Sequence, residues 1–88
     1  MPTGPCVADF YADKTSMAGK GGWVTFTSTS TGNIGTLRWD FGNGFTDVGS
    51  STKTYYKSNG YYTVTLTIEG PDCHDVETKV DYIELSGC

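Results

Sequence analysis

The chain has 88 residues, 18% of them charged, and a formal charge of −4, which is enough for one domain with a modest core and not for two. The acid excess and the lack of any Lys/Arg cluster speak against nucleic acid and anionic membrane surfaces as partners. No apolar run approaches the roughly 18 residues of a membrane span, so membrane insertion is not expected.

Aromatics at 14% and 12 glycines, with many Ser and Thr, fit an all-β domain rich in turns rather than disorder. Residues 6–12 alternate, with Cys6, Ala8, Phe10 and Ala12 on one face, and read as a first strand. Residues 13–22 read as a polar loop carrying Gly19, Gly21 and Gly22. Residues 23–30 form a clear strand, with Val24, Phe26 and Ser28 in one phase, and residues 30–35 a turn. Residues 36–41 place Leu37, Trp39 and Phe41 on one face and Thr36, Arg38 and Asp40 on the other. Gly42-Asn43-Gly44 reverses the chain, since Asn-Gly suits the positive φ values of a tight hairpin. Residues 45–48 and 52–57 are further strands, followed by the turn Ser58-Asn59-Gly60.

Residues 61–69 alternate most clearly, with Tyr62, Val64, Leu66 and Ile68 in phase. After a loop holding Cys73 and His74, residues 75–85 form the last strand. There Val76, Thr78, Val80 and Tyr82 share one phase, and Ile83 and Leu85 the other. Such a switch predicts a bulge near Tyr82. About seven short strands and no helical period point to a two-sheet antiparallel sandwich of immunoglobulin type. Strand-like sequence begins almost at once and runs nearly to Cys88, so the chain reads as a segment of a longer protein. Residues 1–5 are read as a linker, 6–85 as the domain and 86–88 as a tail.

Two blocks, Trp39-Asp40-Phe41-Gly42-Asn43-Gly44 and the run from Tyr56 through Gly60, Tyr62 and Val64 to Leu66, resemble the signature blocks of the PKD (polycystic kidney disease) domain. Ala8-Asp9-Phe10 and Val24-Thr25-Phe26 resemble its first two strands. The resemblance implies an immunoglobulin-like sandwich serving as a non-catalytic module of extracellular proteins. Asn43 stands where the family usually has Asp, and Thr54 where many members have His. Some members bind calcium through acids at the entry of the first strand and in the loop between the second and third; here that loop, residues 29–35, has no carboxylate.

Carboxylate catalysis of glycoside hydrolysis needs two acids across a cleft, and the first block offers only Asp40. Asp40 is out of phase with Trp39 and Phe41, so it is read as accepting backbone N–H groups of the turn, with Gly42 and Gly44 giving the bend its freedom. Trp39 is the expected central core aromatic, and Tyr62 the tyrosine corner of immunoglobulin-like folds. His74, the only histidine, lies between Asp72 and Asp75. That trio is a metal candidate, set against the plainer reading of turn formers around a solvated imidazole. No cofactor is expected. Trp23, Tyr55 and Tyr61 are out of phase with the core residues of their strands, as exposed aromatics that stack on sugars or anchor a protein contact would be.

The three cysteines fit no zinc spacing. In sandwiches of this type the first strand can run parallel to the last, which favours Cys6 with Cys73 and leaves Cys88 over; the alternative is three free thiols. Two functions follow. One is a non-catalytic spacer or protein-interaction module of a secreted or cell-surface protein, monomeric in isolation, whose partners are neighbouring domains or other proteins. The other is a polysaccharide-binding module using Trp23 and Tyr55.

Overall fold

Eight strands make up the computed structural model, which describes residues 6–18, 22–71 and 73–86. They are β1 (Phe10–Ala12), β2 (Ser16–Ala18), β3 (Gly22–Ser28), β4 (Thr36–Asp40), β5 (Thr46–Val48), β6 (Ser51–Tyr56), β7 (Gly60–Glu69) and β8 (His74–Ser86). One sheet has the order β1-β3-β6 and the other β2-β8-β7-β4-β5. All pairings are antiparallel except that of β2 with β8. The fold is an all-β, immunoglobulin-like two-sheet sandwich, with eight strands where the sequence reading counts seven.

The core follows from the alternation. Val24 and Phe26 of β3 face Trp39 and Phe41, and Val64, Leu66 and Ile68 of β7 close it from the second sheet, all buried. Rings fill the centre: Phe10 meets Trp39 edge-on at 5.3 Å, and Phe26 stacks on Phe41 at 5.2 Å. Edge-to-face and offset contacts of this kind suit the ring quadrupoles. The polar atoms of two buried aromatic side chains have partners. Trp39 Nε1–H donates to the Gly49 carbonyl at 2.7 Å, and the Tyr56 hydroxyl donates to the Phe41 carbonyl at 2.8 Å. Burial pushes the Tyr56 phenol well above its ordinary range, so it stays a donor.

The N-terminal segment tracks β8 from end to end. A disulfide joins Cys6 to Cys73, with Cα atoms 5.8 Å apart. The Ala8 amide donates to Asp75 Oδ2 at 2.9 Å, Asp9 pairs with Lys79 at 3.4 Å, and the Ala12 amide donates to the Tyr82 hydroxyl at 3.1 Å. The parallel run of first and last segments therefore holds, and with it the Cys6–Cys73 pairing. Regular strand is shorter than expected, however: only Phe10–Ala12 pairs with β3, and Val7 makes an isolated bridge to Thr31.

The polar loop expected over residues 13–22 is corrected. Ser16–Ala18 is β2, parallel to Glu84–Ser86, anchored by buried Met17 and by the Glu84 amide donating to the Thr15 carbonyl at 2.8 Å. A single apolar residue in a three-residue strand leaves no period to read.

The bulge predicted near Tyr82 is present. The β7–β8 register shifts between Tyr62 and Val64, and Asp81 takes a positive φ of 51°. The phase that faces inward before the bulge is the charged one. Asp75, Glu77 and Lys79 lie opposite Ile68, Leu66 and Val64, while Val76 and Val80 point to solvent. Lys79 makes this tolerable at the sandwich rim. Its ammonium sits 3.4 Å from Asp9 and 3.3 Å from Glu77, and over the rings of Phe10 and Tyr82 at 5.2 and 5.6 Å. His74 opens β8 opposite Glu69 rather than sitting in a loop.

Candidate functional site

The first signature block is a bend held by its own polar side chains. The Gly42 amide donates to Asp40 Oδ1 at 3.1 Å, and the Phe41 amide to the Phe45 carbonyl at 3.2 Å. Positive φ falls on Gly42 (79°) and Gly44 (93°), not on Asn43 as an Asn-Gly hairpin would have it. A Cβ at Gly42 would collide with the Thr63 carbonyl.

Asn43 is freed to reach across. Its Nδ2 donates to Thr54 Oγ1 and to the Tyr55 carbonyl, both at 3.1 Å, and its Oδ1 accepts the Phe45 amide at 3.1 Å. The two positions that depart from the family pattern, Asn43 and Thr54, thus bond to each other. This tie docks the bend onto β6.

Trp23 and Tyr55 are cross-strand partners on the outer face of the three-stranded sheet, 55% and 40% exposed. Their rings meet edge-on at 5.5 Å and 62°. Beside them lies a groove of about 460 Å³, within the range of ligand clefts. Its walls are Trp23, Tyr55, Phe45 and the 42–45 bend; Lys53, Lys57, Thr46, Ser58 and Asp47 supply its polar groups. Phe45 is 64% exposed. Lys53 Nζ sits 5.2 Å from the Trp23 ring centroid. Asp47 accepts from the Thr52 hydroxyl and from the Val48 amide, which hold its carboxyl below the ordinary aspartate range. Sequence reading found Trp23 and Tyr55 but missed Phe45, Lys53 and Lys57. The period-2 run Lys53-Tyr55-Lys57 was the available signal.

The remaining candidates lie elsewhere. Tyr61 is 63% exposed on β7, in the other sheet, with its hydroxyl 3.5 Å from Glu84. The Tyr62 hydroxyl donates to the Ser58 carbonyl four residues back, closing a tyrosine corner. Of the metal candidates, Asp72 lies outside the described residues, as does Cys88. Asp75 is engaged by the Ala8 amide first and then the Val76 amide, and its carboxyl is held below the ordinary range. Among the described residues no group of three potential metal ligands converges.

An immunoglobulin-like sandwich with a Trp-Asp-Phe-Gly bend and a tyrosine corner defines the class. The family follows: the PKD domain profile matches residues 5–85, and the chain belongs to the PKD domain family. The pre-pro-metalloprotease PrtV of Vibrio cholerae is 41% identical over 59 residues, covering 62% of this chain and 6% of that protein. The chain therefore matches only a small part of the curated relatives' length. The PKD1 domain of PrtV superposes with TM-score 0.75 at 28% identity, over 91% of this chain and 98% of that one. The PKD1 domain of Vibrio anguillarum Epp gives TM-score 0.77 at 24% identity, over 96% and 99%. A structure from work on carbohydrate-binding modules of the β-sandwich superfamily gives TM-score 0.82 at 21% identity, over 100% of this chain and 37% of that one. These last two likenesses speak for the fold.

Proposed function

We propose that this chain is a non-catalytic module of a longer secreted or cell-surface protein, acting as a stiff spacer that also offers an interaction surface. The path of the chain carries the reading. Cys6 is bonded to Cys73, beside the first residue of β8, and β8 then runs 13 residues to Ser86. At about 3.3 Å per residue the two ends of the domain stand roughly 40 Å apart, along a body measuring 53 × 18 × 17 Å. Domains attached there are held at opposite poles. The disulfide fits an oxidising compartment, and similarity to a 6% stretch of a pre-pro-metalloprotease fits a module carried by a larger protein.

The test is to replace residues 6–86 in the longer protein by a Gly/Ser linker of about 50 residues, whose r.m.s. reach is also about 40 Å. Mean separation is kept; stiffness and surface are lost. Turnover of a small soluble substrate by a catalytic neighbour is expected to be unchanged, while action on a large or surface-bound substrate changes. Loss of small-substrate turnover would overturn the reading.

A second reading, polysaccharide binding, is favoured by one observation: the exposed Trp23–Tyr55 pair beside a ligand-sized groove. Glycan binding that disappears in Trp23→Ala supports it, and flat titrations across a glycan panel leave the first reading alone.

A further inference from the structure

Resting on that second reading, we propose that the groove selects a polyuronate: a single polysaccharide strand with one carboxylate per sugar. Lys53 and Lys57 take the carboxylates, and Trp23 and Tyr55 the sugar rings. The charge of the groove is opposite to that of the molecule. The chain carries −4, yet the groove has two lysines against Asp47, whose carboxylate is already occupied by Thr52 and Val48. Among the described residues neither Lys53 nor Lys57 is in a salt bridge, whereas Lys79 makes two.

Lys53 is on β6 and Lys57 is the first residue past its end, a spacing of about 13 Å at the rise of extended chain, with Tyr55 between them. Lys53 is held over the Trp23 ring, so part of its freedom is lost before any ligand arrives and less remains to be lost on binding.

Geometry narrows the class further. The 62° angle between Trp23 and Tyr55 makes a corner rather than a flat platform. A corner suits one glycan strand, not the face of a crystalline polysaccharide. An acidic peptide could bind by adding a strand at the β6 edge, but Asn43 Nδ2 already occupies the Tyr55 carbonyl. A densely sulfated glycan would meet the repulsion of the acidic remainder of the domain.

The experiment is titration of the 88-residue chain at low salt with oligogalacturonate, neutral xylo- and cello-oligosaccharides, dextran sulfate and oligoglutamate. Oligogalacturonate is expected to bind, and Lys53→Gln and Lys57→Gln each to weaken it roughly 1.5- to 5-fold, as truncating one exposed charge pair does. Trp23→Ala is expected to abolish binding and Lys14→Gln to leave it unchanged. All four side chains are exposed, so melting temperatures should match the parent and separate lost binding from lost fold. Neutral oligosaccharides binding as tightly, with both lysine variants silent, would overturn anion selection while sparing the polysaccharide reading. Dextran sulfate or oligoglutamate binding more tightly than oligogalacturonate would overturn the polyuronate assignment. No binding to any glycan would overturn both.

Discussion

Removing the Cys6–Cys73 bridge is the perturbation whose size follows most directly from the structure. The bond spans 67 positions, and in the chain-entropy treatment a loop of that length is worth about 4 kcal/mol at 25 °C. That is a large share of the ~5–15 kcal/mol total stability of a small domain. At about 4–8 °C per kcal/mol for a domain of this size, the melting temperature should fall by at least about 15 °C. Cys6 is buried, so the double variant is best made as Cys6→Ala and Cys73→Ala, with Cys88→Ser in both proteins to prevent exchange. Urea titration followed by tryptophan fluorescence gives the free energy, and the oxidised parent with and without dithiothreitol gives an independent comparison. A loss below about 1 kcal/mol would refute the reasoning: the parallel tie between first and last segments would then be held by Asp75, Lys79 and Tyr82 without the bridge.

Trp39→Ala should cost about 3–5 kcal/mol, because it empties the centre of the ring cluster and orphans the Gly49 carbonyl; a melting temperature near the parent's would show that Trp39 is not core. Gly42→Ala should cost more than about 2 kcal/mol, since a positive φ and a collision with the Thr63 backbone add; urea midpoints decide it. Asp75 is held below its ordinary value by the Ala8 and Val76 amides. A depressed folded value gives stability that is present above the unfolded value, near 4, and lost as pH falls through the folded one. Asp75→Asn should therefore be less stable at pH 7 and show a flatter decline below about pH 4; parallel acid limbs in the two proteins would contradict this. EDTA should leave the melting curve unchanged, and a drop restored by calcium would point to Asp72, His74 and Asp75.

How far the sequence could be read depended on how many residues each feature spans. β7 and β3 were legible because ten and seven residues repeat one phase against a buried sheet face. The switch of phase near Tyr82 marked the bulge because it breaks a long pattern. β2 was not legible: three residues with one buried side chain carry no period, and a parallel edge pairing leaves no turn signal. The inward charges on β8 were hidden for a different reason. Asp75, Glu77 and Lys79 look solvent-facing by type, and only the approach of Asp9, Phe10 and Tyr82 around Lys79 makes the rim a place for them. For the groove, outward phase identified Trp23 and Tyr55. Lys53 and Lys57 share the period-2 phase of Tyr55 and were legible in the same way, whereas Phe45 joins them only through the Asn43 tie between the bend and β6, a contact between positions 11 and 12 residues apart.

Single-molecule energy transfer between dyes placed through non-natural amino acids at Val7 and Ser86, both exposed, tests the spacer reading most directly. The account predicts one narrow distance distribution centred near 40 Å, the length of β8 at about 3.3 Å per residue. A separation below about 20 Å, half the strand length, or a broad distribution in the oxidised protein, would contradict it.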